Sequence, residues 1–271
     1  MLAGAPFDLQ SDAPAQSIDW VIQEMAKKEL PALMKASELG AIKFVTSGID
    51  EIDAATKGFP VGRVTEIYGM EGVGKTSLTL QAIAGMQKKK KKVLFIDVEN
   101  ALNIDRAKQF GVDLDKLSVS TAVVVEEIAE IVIGYLGQFD LIVVDSLAAM
   151  IPRAEYDGDP GEQHMGLKAR AMGQFMRKVI KPLADAHCAL VFINQQRMTL
   201  EPFGERKITP GGKAVPFATS LRLELKTAKS KDKIESTKGG VKHRAGHWVT
   251  ATVTKSKVGA PYTEIRFKLL Y

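Results

Sequence analysis

Cysteine is almost missing from this chain of 271 residues: Cys188 stands alone. A lone thiol can form neither an intramolecular disulfide nor a thiolate zinc centre, so a reducing, cytoplasmic setting is expected. Long hydrophobic runs are missing as well. The apolar stretches Leu141 to Val144 and Leu190 to Ile193 fall far short of the roughly 20 residues a membrane helix needs, so no membrane partner is expected. The opening MLAGAPFDLQ lacks a basic start and a long apolar core, so no secretory signal is read there. Charge of one sign is scarce too. Lys plus Arg number 37 against 32 Asp plus Glu, a formal +5, and the run Lys88 to Lys92 supplies all of it. A basic balance that local is poor ground for inferring nucleic acid. The run closes a helix and enters a strand, where cations complement the helix end, so a solvated turn is its expected state. Hydrophobic residues at 45% and charged ones at 25% exclude disorder and collagen-like repeats. The length suits one large domain, or one domain with a small appendage.

Ser17 to Leu39 reads as a helix. Ser17 is placed to cap it, Asp19 lies in its first turn, and Trp20, Val21, Ile22 and Met25 form a rough apolar stripe. Pro31 should break or kink it. The segment 1–42 is therefore expected to be helical and either to pack on its own core or to dock on a neighbouring subunit. From residue 43 to 271 strands and helices alternate. Arg63 to Tyr68 reads as a strand with alternating faces, Lys75 to Gln87 as a helix, and Lys92 to Asp97 as a strand. Val124 to Leu136 reads as an amphipathic helix and Asp140 to Asp145 as a buried strand. Gly166 to Ala186 reads as a long helix with a possible bend at Pro182, and Cys188 to Asn194 as another buried strand. Such alternation predicts an α/β fold, a mainly parallel sheet flanked by helices. The segments 221–226, 248–255 and 263–270 alternate differently and predict antiparallel strands added at one edge.

Gly69-Met70-Glu71-Gly72-Val73-Gly74-Lys75-Thr76 has the spacing of a phosphate-binding P-loop. Glycines let consecutive N–H groups turn into one anion-sized hollow, and the helix that follows adds its positive end. Lys75 then reaches the β- and γ-phosphates, the Thr76 hydroxyl can bind Mg²⁺, and Ser77 continues the first turn. Lys75 is expected to be exposed at the phosphate site rather than in the core. ATP and Mg²⁺ are the expected ligands. Asp145 closes its apolar strand as the acidic residue of the Mg²⁺ shell should. Glu99 lies just past a strand end that faces the ligand crevice, where a carboxylate can activate water, with Asp97 as its competitor. Gln195 ends another strand immediately before a long loop, a position suited to sensing the γ-phosphate. No arginine is expected near the P-loop, and Arg106 reads as lying on a helix that leads away. His243 and His247 read as ordinary surface or loop histidines, and Cys188 as a small core residue.

The segments FIDVENALN (residues 95–103), LIVVDS (141–146), GEQHMGLKARAMGQFMRK (161–178), VFINQQRM (191–198) and PGGKAVPFATSLRLEL (210–225) closely resemble the bacterial RecA recombinase family. The likeness runs in order from about Thr46 to Tyr271. It implies an ATPase that forms a homo-oligomeric helical filament on single-stranded DNA and pairs it with a homologous duplex, with mediator or single-strand-binding proteins as further partners. It also implies roles residue by residue. Gly69 to Thr76 hold phosphates, Glu99 is the catalytic base, Asp145 the magnesium residue and Gln195 the γ-phosphate sensor. Asn103 lies near the adenine. The segments 155–165 and 196–210 correspond to two DNA-binding loops, and Gly211 and Gly212 open the helix after the second. Arg170, Arg177 and Arg197 correspond to basic residues near the DNA path, and Phe217 to a subunit-interface residue. Lys255 and Lys257 correspond to a lysine pair that reaches ATP on the adjacent subunit.

The residues themselves agree with parts of this picture. Backbone amides at Gly211 and Gly212 can receive a DNA phosphate, and Met165, Gly166, Met198 and Phe203 sit where a loop can meet bases without reading sequence. Arg170 and Arg177, seven apart on one helix, share a face. Lys255 and Lys257, two apart on a strand, should point the same way. Departures from the family pattern are Asn100 for a His, Asn103 for an Asp, and Pro216 for a basic residue beside Phe217. The family's separate C-terminal domain is not matched, as in a shortened or virus-encoded member. Two other readings share the same core: a ring helicase, and a nucleotide-gated scaffold on DNA with little hydrolysis.

Overall fold

The computed structural model describes residues 35–159, 166–201, 204–227, 233–238 and 240–270. The chain divides into two compact units, residues 1–41 and 42–271. In the first, the described part is short, with one 3₁₀ turn at Ala36–Glu38. The helix expected from Ser17 otherwise lies outside the described residues.

The second unit is built on a nine-stranded, mostly parallel sheet. Its elements begin with β1 (Phe44–Val45), α1 (Asp50–Thr56) and β2 (Phe59–Pro60), where β1 and β2 form a small antiparallel ribbon. Then come β3 (Val64–Gly69), α2 (Lys75–Lys88), β4 (Val93–Asp97), α3 (Ile104–Gln109) and β5 (Leu117–Ser120). They are followed by α4 (Val125–Tyr135), β6 (Leu141–Asp145), α5 (Arg153–Tyr156), α6 (Leu167–Asp185) and β7 (Ala189–Gln195). A hairpin of β8 (Arg197–Glu201) and β9 (Gly204–Ile208) stands apart from the main sheet. The chain returns through α7 (Ala214–Ala218) to β10 (Leu221–Thr227), β11 (Lys233–Lys238), β12 (Val241–Ser256) and β13 (Glu264–Leu270).

The strand order is β11-β12-β10-β3-β7-β6-β4-β5, with β13 on the other side of β12. From β10 to β5 neighbouring strands run parallel, and β10, β11 and β13 each pair antiparallel with β12. The parallel sheet with an antiparallel edge is therefore as expected. The run 63–68 is not half-exposed, however: every residue of β3 is buried, because the strand lies inside the sheet with packing on both faces.

Period-two alternation divides the core into two layers. On one face Phe95, Val143, Val191 and Ile193 pack with Leu78 and Ile83 of α2 and with Phe267 of β13. On the other, Ile96, Val144 and Phe192 pack with Ile128 of α4 and Met172, Phe175 and Val179 of α6. Phe175 meets Phe192 edge-on at 5.6 Å between ring centres. Cys188 belongs to this second layer and is fully buried, as expected of a small apolar residue. Pro182 lies in the last turn of α6, which runs on to Asp185. Between β3 and β4 in the chain, α2 carries the backbone over β7 and β6. That crossover leaves the carboxyl ends of β3, β7, β6 and β4 together on one rim, where open α/β sheets bind ligands.

Candidate phosphate-binding site

The loop from β3 to α2 curls tightly at the rim. Gly74 caps α2 with φ +99°, and a side chain there would meet Leu269 Cδ1 at 2.2 Å. The positive φ demands glycine, and a side chain would also push the Leu269 methyl aside. The helix that follows has 14 residues, long enough to present a real N-terminal positive end to an anion.

A cleft of about 400 Å³ opens over this loop. Its walls include Glu71, Gly72, Gly74, Lys75, Thr76 and Ser77 from the loop, with Glu99, Asp145, Ser146 and Gln195 from the adjoining strand ends. Gly69, Met70 and Val73 shape the loop from behind: Val73 is buried and Met70 is exposed. Thr76 Oγ1 donates to Asp145 Oδ2 at 2.7 Å. Burial pushes the Asp145 carboxyl up to about 6, against the Thr76 hydrogen bond, and the nearby Glu99 and Asp97 raise it further. A hydroxyl and a carboxylate at the head of a phosphate loop are hard oxygen donors of the kind Mg²⁺ takes, one or two at a time. Among the described residues no three His, Cys, Asp or Glu cluster as a metal cage.

Glu99 and Asp97 have separate tasks. The Asp97 oxygens accept from the backbone N–H groups of Ala101 and Leu102 at 3.0 and 2.9 Å, which ties down the turn after β4. Glu99 Oε1 accepts from Ser146 Oγ and from Gln195 Nε2, the latter at 3.3 Å. Three strand ends thus meet at one carboxylate.

Several expectations need correction. Lys75 is buried rather than exposed. Its ammonium folds back to donate to the carbonyls of Gly69 and Met70 at 3.2 and 2.8 Å, and burial lowers its pKa. The curled loop turns those carbonyls toward the ammonium. Arg106 does not lead away: it lines the cleft, and its Nη2 donates to Ser77 Oγ at 2.9 Å. His247 is no surface residue either. It is buried on β12, lines the same cleft, and approaches the Val73 carbonyl with Nε2 at 3.4 Å. His243, on the same strand, is exposed. Asn103 is exposed and caps α3, its Oδ1 accepting from Arg106 N at 2.9 Å. It is outside the cleft lining.

Gln196 N donates to the Gly69 carbonyl at 2.9 Å, so the base of the β8–β9 hairpin is attached to the phosphate loop. Arg197, Arg170 and Arg177 are exposed, the last two on the outer side of α6. Gly166 caps α6 with φ +78°. Met165 and Phe203 lie outside the described residues, and Met198 lies within β8. Gly211 and Gly212 do not open a long helix. Both have positive φ, and α7 begins at Ala214 and has only five residues. Their amides belong to a left-handed turn before it. Phe217 on α7 is 73% exposed.

Lys255 is the penultimate residue of β12, with a bulge beside it, and Lys257 lies just past the end of that strand. The two ammonium groups nonetheless converge, because both donate to the Phe217 carbonyl, at 3.2 and 3.3 Å, and Lys255 also to that of Pro216. Neither reaches the cleft of its own chain.

A P-loop at the carboxyl end of a central parallel strand, with acidic and amide groups on neighbouring strand ends, defines the class of P-loop α/β nucleotide-binding proteins. The RecA N-terminal domain family matches residues 15–271, and the chain belongs to the RecA family. It is 40% identical over 241 residues to Protein RecA of Desulforapulum autotrophicum, covering 87% of this chain and 67% of that protein. Against Protein RecA of Streptomyces venezuelae the identity is 40% over 235 residues, covering 85% and 60%. Against that of Wolinella succinogenes it is 40% over 265 residues, covering 94% and 74%. The chain spans about 60% of the length of the Streptomyces relative and 74% of that of the Wolinella relative. Among the described residues no helix is long and apolar enough to cross a membrane.

Proposed function

We propose that this chain is a cytoplasmic, DNA-dependent ATPase of the recombinase type, which assembles as a filament on single-stranded DNA and pairs it with a homologous duplex. The observation that carries the reading is the Glu99–Gln195 contact at the cleft, with Gln195 one residue from the β8–β9 hairpin. A change at the phosphate end therefore has a short covalent route to the hairpin. In this reading ATP is the substrate, and the loop amides and Lys75 hold its phosphates. Thr76 and Asp145 hold Mg²⁺, which when bound neutralises charge on the phosphate oxygens. Glu99 orients and deprotonates the attacking water, and Ser146 and Gln195 hold its carboxylate in place. Gln195 exchanges its Glu99 contact for the γ-phosphate and so alters the hairpin.

Arg170, Arg177, Arg197 and the Gly211 and Gly212 amides meet DNA phosphates, and Met165, Gly166, Met198 and Phe203 contact bases without reading sequence. Phe217 and residues 1–42 meet neighbouring subunits, and the 43–271 core carries both ATPase and DNA-binding groups. Lys255 and Lys257 serve the ATP of the next subunit, which suits their position outside their own cleft.

One combined experiment tests the reading: ATP hydrolysis with and without single-stranded DNA, together with negative-stain imaging of the same samples. Filaments with DNA-stimulated hydrolysis support it. Closed rings identify a helicase instead, and filaments without turnover a DNA-coating scaffold.

A further inference from the structure

The pairing of β10 with β12 is regular except at one place. Leu223 of β10 lies opposite Val253 of β12, and Arg222, the residue before it, lies opposite Lys255. Thr254 therefore has no partner on β10 and is the extra residue of a β-bulge. Cross-strand partners share a face, and so do residues two apart on a regular strand. Ala251 and Val253 point into the core, so an unbroken β12 would send Lys255 in after them. The bulge instead puts Lys255 on the face of Arg222, whose neighbour on β3 is the buried Glu66. The charges that act on the Lys255 ammonium agree with that placement: they are Lys257, Arg222 and Glu66. From this face Lys255 reaches the Pro216 and Phe217 carbonyls of α7.

Side chains pin the bulge. Tyr68 Oη donates to Thr254 Oγ1 at 3.0 Å, and Thr254 Oγ1 donates to the Arg222 carbonyl at 3.4 Å. Tyr68 is buried on β3, so its side chain reaches across β10 to a strand two places away. The Arg222 guanidinium, 4.5 Å from the centre of its ring, covers it on the way. Burial raises the Tyr68 pKa, which keeps the phenol protonated as a donor.

We propose that Tyr68 and Thr254 are positioning residues: their hydroxyl contact holds the bulge that turns Lys255 off the core face and aims the lysine pair at the ATP of a neighbouring subunit. The proposal rests on the reading of that pair as acting in trans. It gives the buried tyrosine at the foot of the P-loop a task at the next subunit's cleft rather than at its own.

The test uses Tyr68→Phe and Thr254→Val, each of which removes one hydroxyl at nearly constant shape, with Thr254→Ser as the conservative control. Calorimetry reads ATP affinity, steady-state assays on single-stranded DNA read kcat and KM, and negative-stain imaging reads filaments. In both isosteric variants filaments should form, with ATP affinity and KM within about twofold of wild type. The DNA-stimulated kcat should fall by roughly ten- to a hundredfold, the cost of misplacing a group by about 1 Å. Removing both hydroxyls should cost no more than removing one, because they act through a single contact. Thr254→Ser should keep nearly the wild-type rate. Mixing Tyr68→Phe with Glu99→Gln should restore activity, since some interfaces then join an intact Glu99 to an aimed lysine pair. A defect inside the subunit's own cleft is not complemented in this way. Wild-type kcat in both isosteric variants would overturn the proposal, as would lost ATP affinity, lost filaments or no recovery on mixing. If Lys255→Ala with Lys257→Ala itself keeps the wild-type DNA-stimulated rate, the trans reading fails first and takes this inference with it.

Discussion

Removing the guanidinium that faces Glu66 should be among the most costly single changes in the sheet. Glu66 lies on β3 directly beside Arg222 of β10 in the parallel register. The Glu66 side chain is 0% exposed, and its Oε2 accepts from Arg222 Nε at 2.6 Å. Its other oxygen accepts from Asn194 Nδ2 at 2.9 Å. In Arg222→Met the carboxylate keeps that neutral amide but loses its counter-charge at full burial. Leaving one member of a buried pair uncompensated costs about 3–5 kcal/mol. The lost stacking of Arg222 on Tyr68, 4.5 Å from the ring centre, adds about 0.5–1 kcal/mol, partly offset by the methionine stem. Glu66→Gln combined with Arg222→Met removes both charges and should recover stability to within about 1–2 kcal/mol of wild type. Urea unfolding of nucleotide-free protein at pH 7, with comparable m-values, reads all three. If Arg222→Met costs less than about 1 kcal/mol, or the double variant is no better than the single one, the buried charge is not what holds these strands. The Asn194 amide also donates to the Pro210 carbonyl at 3.0 Å, just beyond the hairpin. Loosening Glu66 should therefore raise hydrogen exchange around residues 208–212 before the sheet itself opens.

Glu99→Gln keeps the shape of the side chain and removes the carboxylate proposed as the base. Nucleotide affinity should stay within about twofold of wild type while single-turnover hydrolysis slows by roughly 10²–10⁴. Equal hydrolysis per bound ATP would make Glu99 structural. Lys255→Ala with Lys257→Ala should bind ATP and fail to hydrolyse it, and mixing with Glu99→Gln should restore some activity through interfaces that combine intact partners. No recovery at any ratio, with co-assembly confirmed, would count against a shared site. Arg177→Ala should weaken binding to all DNA sequences alike and lower the salt slope by about one; a sequence-dependent effect would contradict this. The Cys188 thiol, pushed up to about 12 by burial, should resist alkylation from pH 7 to 9, whereas the unfolded chain reacts faster as pH passes roughly 8.5. The raised value makes the stability contribution of the neutral thiol complete below that pH and lost progressively toward 12. Labelling of the native protein at the unfolded rate would refute the burial.

The strands with two buried faces and the helices between them were legible because burial on a fixed face leaves a local trace. The runs 93–97, 141–145 and 189–194 are continuous apolar stretches bounded by polar ends, and a parallel interior strand requires that composition. The P-loop is equally local, since one tight turn imposes its glycine spacing. The β8–β9 hairpin left no such trace. RMTLE alternates only two apolar residues, Met198 and Leu200, and GERKI has one, Ile208, too little to mark a strand pair, and their pairing rests on backbone hydrogen bonds that any side chain allows. The first half of β12, VKHRAGH, is silent for the same reason.

The cleft divides along the same line. Lys75, Thr76, Glu99, Asp145 and Gln195 could be read as a set because each occupies the end of a strand or the start of a helix, and a parallel sheet gathers those ends on one rim. Arg106 and His247 could not. One reaches the loop from a six-residue helix and the other from the middle strand of the added antiparallel group, and their convergence depends on how α3 and β12 pack against the P-loop. The inward fold of Lys75 and the meeting of Lys255 with Lys257 on the Phe217 carbonyl also depend on where neighbouring backbone places its oxygens. Periodicity records which face of an element is covered, and short motifs record turns. Contacts between residues distant in the chain are decided only when the elements pack.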